Sequence, residues 1–253
     1  MLLHCALALS LFAAAAAPPP KPLTINDLEF SAQRLSEVKL EEKGEVKVEA
    51  VRRRLGALAA LTGSARDLLR QAEVPVRLRA HFAVAHSHEA FAQELHQAKA
   101  PQAARGEASK AWSEQVAQTV ERSLSIARAH LRSCVELAGA AGVAKGEAKD
   151  CAAAAERLKV RASAPGDAAA VARSRLSELQ ACFDARSAER ADAPPLEVSA
   201  KLAIDSLGRV EDVVLMPRRD EERALYDCVS DGLWIWTFPG VADVELELPI
   251  RIK

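Results

Sequence analysis

The spacing of apolar residues changes once along this chain, and the change separates a helical part from a part that contains strands. Before about residue 160, apolar side chains recur at the intervals of an amphipathic helix. After Pro194 and Pro195 they alternate with polar residues, which is the pattern of a half-buried strand. The sequence therefore predicts an α+β fold, with an all-α helical-hairpin domain at residues 25–165 and a small α-β-β-α-β module at residues 168–253.

The N-terminal part has helical spacing in residues 48–72, 74–100, 108–140 and 148–159. The short connections between these segments favour antiparallel helical hairpins. Thr62-Gly63-Ser64 predicts a break in the first segment, because glycine weakens a helix interior. Aromatic residues make up only 4% of the chain, so we expect a core of Ala, Leu and Val in which helices approach closely.

The chain begins with an apolar run that ends in small residues, MLLHCALALSLFAAAAA at residues 1–17. This form is typical of a cleavable signal peptide, although no Lys or Arg precedes the run. The alternative is an uncleaved anchor, but the run is shorter than the roughly 20 residues that span a bilayer. Residues 18–24 then form a Pro-rich spacer. We expect a periplasmic or secreted protein with no membrane span in the mature chain.

Removal of Cys5 with the signal peptide leaves Cys134, Cys151, Cys182 and Cys228. An even number of cysteines in an exported chain predicts disulfide bonds, with three possible connectivities. Cys134 lies near the end of one predicted helix, and Cys151 near the start of the next, on either side of a glycine-containing turn. Positions equally close to a hairpin turn come within disulfide range, so we expect Cys134 to pair with Cys151.

The C-terminal module begins with a helix near Ala168. It continues with predicted strands at residues 196–205 and 209–216, a helix at residues 220–235 and a last strand at residues 244–252. This order predicts a three-stranded antiparallel sheet with two helices on one face.

Several short motifs of this module follow one another in a fixed order: Ala181-Cys182-Phe183, Leu207-Gly208-Arg209-Val210, Leu225-Tyr226-Asp227-Cys228-Val229, Trp236-Thr237-Phe238-Pro239 and Leu248-Pro249-Ile250. With this order and spacing, about a third of the chain resembles the TonB-type C-terminal domain of the gliding-motility-associated AgmX/PglI proteins. The resemblance implies a domain for protein–protein contact, including strand addition at an exposed sheet edge. It also implies a disulfide between Cys182 and Cys228.

The resemblance extends weakly to the helical part. Residues 81–158 are similar to the tetratricopeptide-like hairpins that precede such domains in some envelope proteins. The long Pro- and Lys-rich spacer of energy-transducing TonB does not occur in this sequence, so energy transduction from a membrane motor is not expected.

The predicted helix at residues 74–100 contains His81, His86, His88 and His96. His81 and His88 are seven residues apart and share a face, and with Glu89 they are candidate ligands for zinc or copper. However, no H-E-x-x-H motif occurs, and the apolar neighbours of His88 favour a structural histidine. We therefore assign no metal ligand, and a metal-binding or catalytic envelope protein is the alternative function.

The main aromatic group consists of Trp234, Trp236 and Phe238. An extended segment would place all three on one face, as core residues. A continuing helix would point Trp234 and Trp236 about 200° apart. In that case Trp234 is the candidate for an interaction surface, because aromatic residues are enriched at binding hot spots.

Charge and motifs argue against other classes of function. The formal net charge of −1 disfavours a nucleic-acid-binding protein, which needs a basic surface to neutralise phosphates. The sequence has no G-x-S-x-G or phosphate-loop motif, so we assign no catalytic residue, no cofactor and no enzymatic activity. The sequence predicts a periplasmic or cell-envelope protein that binds other envelope proteins as an interaction or scaffolding module.

Overall fold

A computed structural model describes residues 23–42, 45–71, 73–98, 106–163, 166–190, 192 and 194–252. The predicted signal peptide at residues 1–17 and residues 18–22 of the predicted spacer lie outside these ranges. A helical N-terminal region is followed by a three-stranded antiparallel sheet, which confirms the predicted α+β fold. Within the described ranges, no helix is both long enough and apolar enough to cross a bilayer.

The N-terminal part consists of α1 (Ile25–Glu37), β1 (Glu41–Glu42), β2 (Glu45–Val46), α2 (Val48–Gln71), α3 (Val74–Gln97), α4 (Glu107–Ala140) and α5 (Glu147–Arg157). Helices α3 and α4 make the most extensive contact between helices. They run antiparallel, since Leu78 shares a core with Cys134 and Ala85 shares one with Ala127. This pair forms the centre of the helical part.

Helix α2 continues through Thr62-Gly63-Ser64, so the predicted break is wrong. The Thr62 hydroxyl donates a hydrogen bond to the carbonyl of Leu58 in the preceding turn, as threonine can do without leaving a helix. Leu61 and Ala65 are buried on either side of the glycine. Their burial offsets the cost of Gly63 in a helix, which is about 1 kcal/mol.

The C-terminal part consists of α6 (Ala168–Arg175), a 3₁₀ turn (Leu176–Leu179), α7 (Gln180–Glu189), β3 (Leu196–Ile204), β4 (Val210–Met216), α8 (Arg223–Trp234) and β5 (Val244–Ile252). The antiparallel strands lie in the order β4-β3-β5. Alternate residues of β3 are buried and share one core with Val171, Leu179, Leu225, Val229 and Leu233 from the helices. The alternation predicted from the sequence therefore marks the inner face of the sheet.

The 3₁₀ turn between α6 and α7 interrupts the helix that the sequence predicts from Ala168 onwards. In a 3₁₀ turn residues i and i+3 eclipse one another, and Arg175 Nη2 lies 3.0 Å from Glu178 Oε2. Leu179 packs so closely on Gly232 of α8 that a Cβ there would lie 2.4 Å from Leu179 Cδ2. The spacing of apolar residues does not predict either the Arg175–Glu178 ion pair or the contact of Leu179 with Gly232, so the 3₁₀ turn could not be predicted from the sequence.

The helical and C-terminal parts have separate clusters of buried apolar residues, and Ile235 packs against a cluster of each part. The buried residues of the first come from α1 to α5, and those of the second from α6 to β5. Between them, the Ser133 hydroxyl donates to the carbonyl of Ile235, and Arg66 Nη1 lies 2.5 Å from Asp231 Oδ1. The division into domains at residues 165–168 stays a prediction.

Candidate interaction site

Both expected cysteine pairs lie at bonding distance in the structure. The sulfur atoms are 1.96 Å apart in Cys134–Cys151, which joins α4 to α5, and 2.05 Å apart in Cys182–Cys228, which joins α7 to α8. Cys134 and Cys151 are fully buried, whereas Cys228 is half-buried. Each disulfide therefore holds together two helices of the same part of the chain.

Asp205 and Gly208 shape the turn that leads from β3 into β4. The Asp205 carboxylate accepts hydrogen bonds from the backbone N–H groups of Leu207, at 2.9 Å, and Arg209, at 2.8 Å. Gly208 has a φ of 74°, and its carbonyl accepts a hydrogen bond from the N–H of Phe238 at 2.7 Å. A Cβ at position 208 would lie 2.3 Å from the Phe238 carbonyl oxygen. Only glycine fits there.

Beyond this turn, β4 is an open edge of the sheet. Arg209 bridges to Thr237, and no strand of the described chain pairs with the outer side of β4 after that point. Val214 and Met216 are 42% and 53% exposed, beside Lys201 and Ser199 on the solvent face of β3. Unpaired backbone groups next to exposed apolar side chains are the features that allow a further strand to add.

The opposite edge, β5, is less suited to pairing. Pro249 lies within the strand, opposite Ser199, and proline removes one backbone N–H donor. The solvent face of β5 also carries the exposed charged residues Glu245, Glu247 and Arg251. Proline and charge both disfavour strand addition, so β4 is the better docking edge.

Trp234, the predicted interaction residue, ends α8 and is half-buried. The guanidinium of Arg70 from α2 lies 4.9 Å from the centroid of its ring, in a cation–π contact. Trp236 and Phe238 follow the end of the helix and are both buried. Trp234 therefore contributes to the contact between α2 and α8 and keeps part of its ring in solvent. Its role in binding a partner stays a prediction.

The histidines of α3 do not converge on one point. His86 and His96 are exposed, whereas His81 and His88 are buried. His88 Nε2 lies 3.2 Å from the hydroxyl of Thr62. Because that hydroxyl already donates to Leu58, His88 donates from Nε2. Its Nδ1 has no hydrogen-bond partner among the described residues, and burial lowers the pKa of His88 to about 4.

His81 contacts a histidine that the sequence did not single out, His130 of α4. Their Nδ1 atoms are 3.1 Å apart. Burial lowers the pKa of His130 to about 3. Burial, followed by repulsion from His130 and Arg77, also lowers the pKa of His81 well below its usual value. Both rings are neutral near pH 7, with one Nδ1 donating to the other.

The structure offers no support for a metal site on α3. Glu89, the carboxylate considered as a ligand, pairs with Arg157 of α5 at 3.1 Å. In the part of the chain that the structure describes, no group of three or more His, Cys, Asp or Glu side chains is placed to hold a metal ion. His81 and His88 instead make hydrogen bonds between helices.

A buried charge network joins the helical part to the C-terminal part. Arg175 Nη1 lies 3.0 Å from Glu136 Oε2, and neither side chain is exposed. The same guanidinium donates to the Ser133 hydroxyl, at 3.0 Å, and to the Thr237 carbonyl, at 3.1 Å. It also lies 5.4 Å from the centroid of the Trp236 ring. This network has no local signal in the sequence, because its members are far apart along the chain.

A groove of about 480 Å³ opens between α1, α3 and α5. Its lining combines carboxylates, one guanidinium, hydroxyls and an aromatic pair: Glu29, Ala32, Gln33, Ser36, Arg79, Phe82, Ala83, His86, Ser87, Glu147 and Asp150. The groove was not predicted from the sequence, because its walls come from three helices. The one local signal was the four-residue spacing of Phe82 and His86, whose rings stack on α3.

Comparison with known proteins identifies no relative. No protein-family model matches the chain, and no curated protein or solved structure is significantly similar to it. The resemblance to TonB-type C-terminal domains therefore stays a prediction that rests on the motifs alone.

Proposed function

We propose that this chain is a non-enzymatic protein of the bacterial cell envelope whose C-terminal part binds an extended segment of another envelope protein. The observation that carries the proposal is the edge of β4, where Val214 and Met216 are exposed beside unpaired backbone. An added strand would hydrogen-bond to that backbone and cover both side chains. Burial of the two side chains would contribute on the order of 1 kcal/mol each.

The chemistry of the edge indicates what the partner segment contains. Val214 and Met216 lie at one end of β4, and the exposed carboxylates Glu211 and Asp212 lie near the other. A complementary strand would place apolar residues beside the first pair and a basic residue beside the second, since cross-strand neighbours contribute to pairing. We therefore propose a partner strand with alternating apolar residues and Lys or Arg at one end.

The envelope location is supported by two separate features of the chain. Residues 1–17 have the form of a signal peptide. The two disulfide bonds are of a kind that persists in oxidising compartments. The resemblance to TonB-type domains, a type used for protein–protein contact in the envelope, agrees with both.

Site-specific photo-cross-linking in native cells tests the binding edge. A photoreactive residue at position 216 should give one discrete adduct, and mass spectrometry should locate the cross-link in an extended, partly basic segment of an envelope protein. Val214→Lys should abolish this adduct, because a charged residue at an edge disfavours strand addition. A peptide of the captured segment should then protect the amides of β4 from hydrogen exchange.

The matched control is the opposite edge of the sheet. A photoreactive residue at position 245 of β5 should give no such adduct, and Glu245→Lys should leave the adduct from position 216 unchanged. Equal labelling from both edges, or protection of β5 amides instead of β4 amides, would contradict the proposal.

Export is tested independently by the mass of the protein recovered from the periplasm. The mature chain should begin within or directly after the alanine tract at residues 13–17 and should carry both disulfides when alkylated without reductant. Recovery of an uncleaved chain with free thiols from the cytoplasm would contradict the proposed location.

A further inference from the structure

We propose that the groove between α1, α3 and α5 binds an organic cation, namely an ammonium or guanidinium group on a short aliphatic stem. This site is separate from the β4 edge, and the inference does not depend on the function proposed for that edge. Three features of the groove, its charge, its aromatic pair and the hydroxyl of Ser87, point to the same class of ligand.

The charge of the groove favours a cation. Arg79 pairs with Glu29, and its Nε lies 4.0 Å from Glu147 Oε1. Asp150 forms no ion pair within the described ranges. Three carboxylates and one guanidinium line the groove, which gives it a formal charge of −2 when His86 is counted as neutral. Asp150 thus remains available to a ligand.

An aromatic face forms part of the same wall. The rings of Phe82 and His86 stack nearly parallel, with an angle of 9° and centroids 5.8 Å apart. Cations bind over the faces of aromatic rings within about 6 Å of the centroid. Ala32 and Ala83 line the groove beside this pair and offer apolar contact to an aliphatic stem.

The hydroxyl of Ser87 is a second polar feature of the groove, separate from the charges. Ser87 is only 7% exposed and lines the groove, yet its hydroxyl makes no hydrogen bond with any described residue. A hydroxyl at the groove surface with no protein partner can accept a hydrogen bond from a ligand. An N–H donor of a bound ammonium or guanidinium would donate to Ser87 Oγ and also pair with Asp150.

The same features argue against other ligands. An anion would be repelled by the net charge, and Arg79 is already occupied by Glu29 and, at 3.3 Å, by Asn26. A metal ion would need a group of ligands that the described residues do not provide. A cationic group with several N–H donors satisfies both the carboxylates and the hydroxyl.

Calorimetric titration of the full chain with two probes tests the site. The probes are agmatine, as a free organic cation, and a capped tripeptide with a central arginine. We expect saturable binding of agmatine with a Kd between about 10 µM and 1 mM that weakens as salt is added. Tripeptide binding of equal strength would assign the site to side chains of a protein partner, and binding of agmatine alone to a free small molecule. Saturable binding of neither probe would overturn the proposal.

Variants separate a specific site from general attraction to an acidic surface. Asp150→Asn should weaken agmatine binding about tenfold, whereas Glu156→Gln, on the same helix outside the groove, should have no effect. Ser87→Ala should weaken binding severalfold without lowering the free energy of unfolding, since the lost hydroxyl has no partner in the free protein. Equal loss of agmatine affinity in the Asp150→Asn and Glu156→Gln variants would overturn the proposed site.

Discussion

Arg175 and Glu136 form an ion pair in which neither side chain is exposed to solvent, with Arg175 Nη1 3.0 Å from Glu136 Oε2. Glu136 belongs to α4 and Arg175 to α6, so the pair joins the helical part to the C-terminal part. A buried ion pair adds little net stability compared with apolar residues of similar size, but removal of one partner leaves an uncompensated charge in the core. The pair therefore fixes the position of α6 on α4.

Arg175→Met should lower the free energy of unfolding by about 3 to 5 kcal/mol, because Glu136 then remains buried without a counter-charge. Urea denaturation measures the effect. The double variant Arg175→Met/Glu136→Gln should recover at least half of the loss, since glutamine is neutral and can still accept the hydrogen bond from Ser163 N–H. Arg173→Met, at an exposed position of the same helix, is the matched control, and an equal effect of both single variants would refute the argument.

Stability should fall between pH 7 and pH 5 because of the buried histidines. The pKa is about 4 for His88 and about 3 for His130 in the fold, whereas unfolded histidines titrate near 6.5. The unfolded state therefore binds more protons below pH 6.5, and stability that is complete above this pH is lost as the pH falls. We expect a loss on the order of 1 to 2 kcal/mol per histidine by pH 5.

Denaturation at several pH values measures this loss. In the His88→Gln variant, the free energy of unfolding should fall less between pH 7 and pH 5, by the contribution of one histidine. The glutamine amide can donate a hydrogen bond to Thr62 and does not titrate. His96→Gln, at an exposed position, should leave the decline unchanged. An undiminished decline in the His88→Gln variant would show that other groups cause it.

The two disulfides should differ in their response to reductant under native conditions. Exchange requires a thiolate to reach one of the sulfur atoms. Cys228 is half-buried, whereas Cys134 and Cys151 are fully buried. A small thiol should therefore reduce Cys182–Cys228 first, as measured by alkylation and peptide mapping over time. Both bonds should react at similar rates in denaturant, and equal rates in the native protein would contradict this expectation.

Gly208→Ala should destabilise the protein by at least about 3 kcal/mol, because the new Cβ meets backbone and the positive φ disfavours alanine. Gly56→Ala provides the matched control. Gly56 lies within α2 and has nothing within 4 Å of its Cβ position, so this change should raise the free energy of unfolding by about 0.5 to 1 kcal/mol. Thermal or urea unfolding measures both, and a neutral Gly208→Ala variant would refute the close approach to Phe238.

Local patterns in the sequence predicted much of the fold. The alternation in residues 244–252 has the same bounds as β5, and the predicted helix at residues 108–140 differs from α4 by one residue. The pairing of Cys134 with Cys151 followed from the glycine-containing turn between two helices. These features depend on residues close together in the chain, whose spacing expresses backbone geometry directly.

Local sequence patterns predicted less about the candidate sites than about the fold. Trp234 is half-buried and packs against the C-terminal core, so its predicted role as an interaction residue stays a prediction, and its contact with Arg70 of α2 has no local signal. The break expected at Thr62-Gly63-Ser64 was wrong, because burial of Leu61 and Ala65 outweighs the weak helix preference of glycine. The interruption of the predicted helix after Arg175 was not predicted either, because the close contact of Leu179 with Gly232 joins residues that are far apart along the chain.

Sequence patterns were thus sufficient for the kinds of elements, their order and the inner face of the sheet, since each follows from the period of the apolar residues. Contacts between distant residues settled the rest. They place β4 as the open edge, bury Arg175 beside Glu136 and bring α1, α3 and α5 around one groove. The physical reason is that charge pairing, burial and surface shape depend on which helices and strands meet in space, and local spacing carries no record of that.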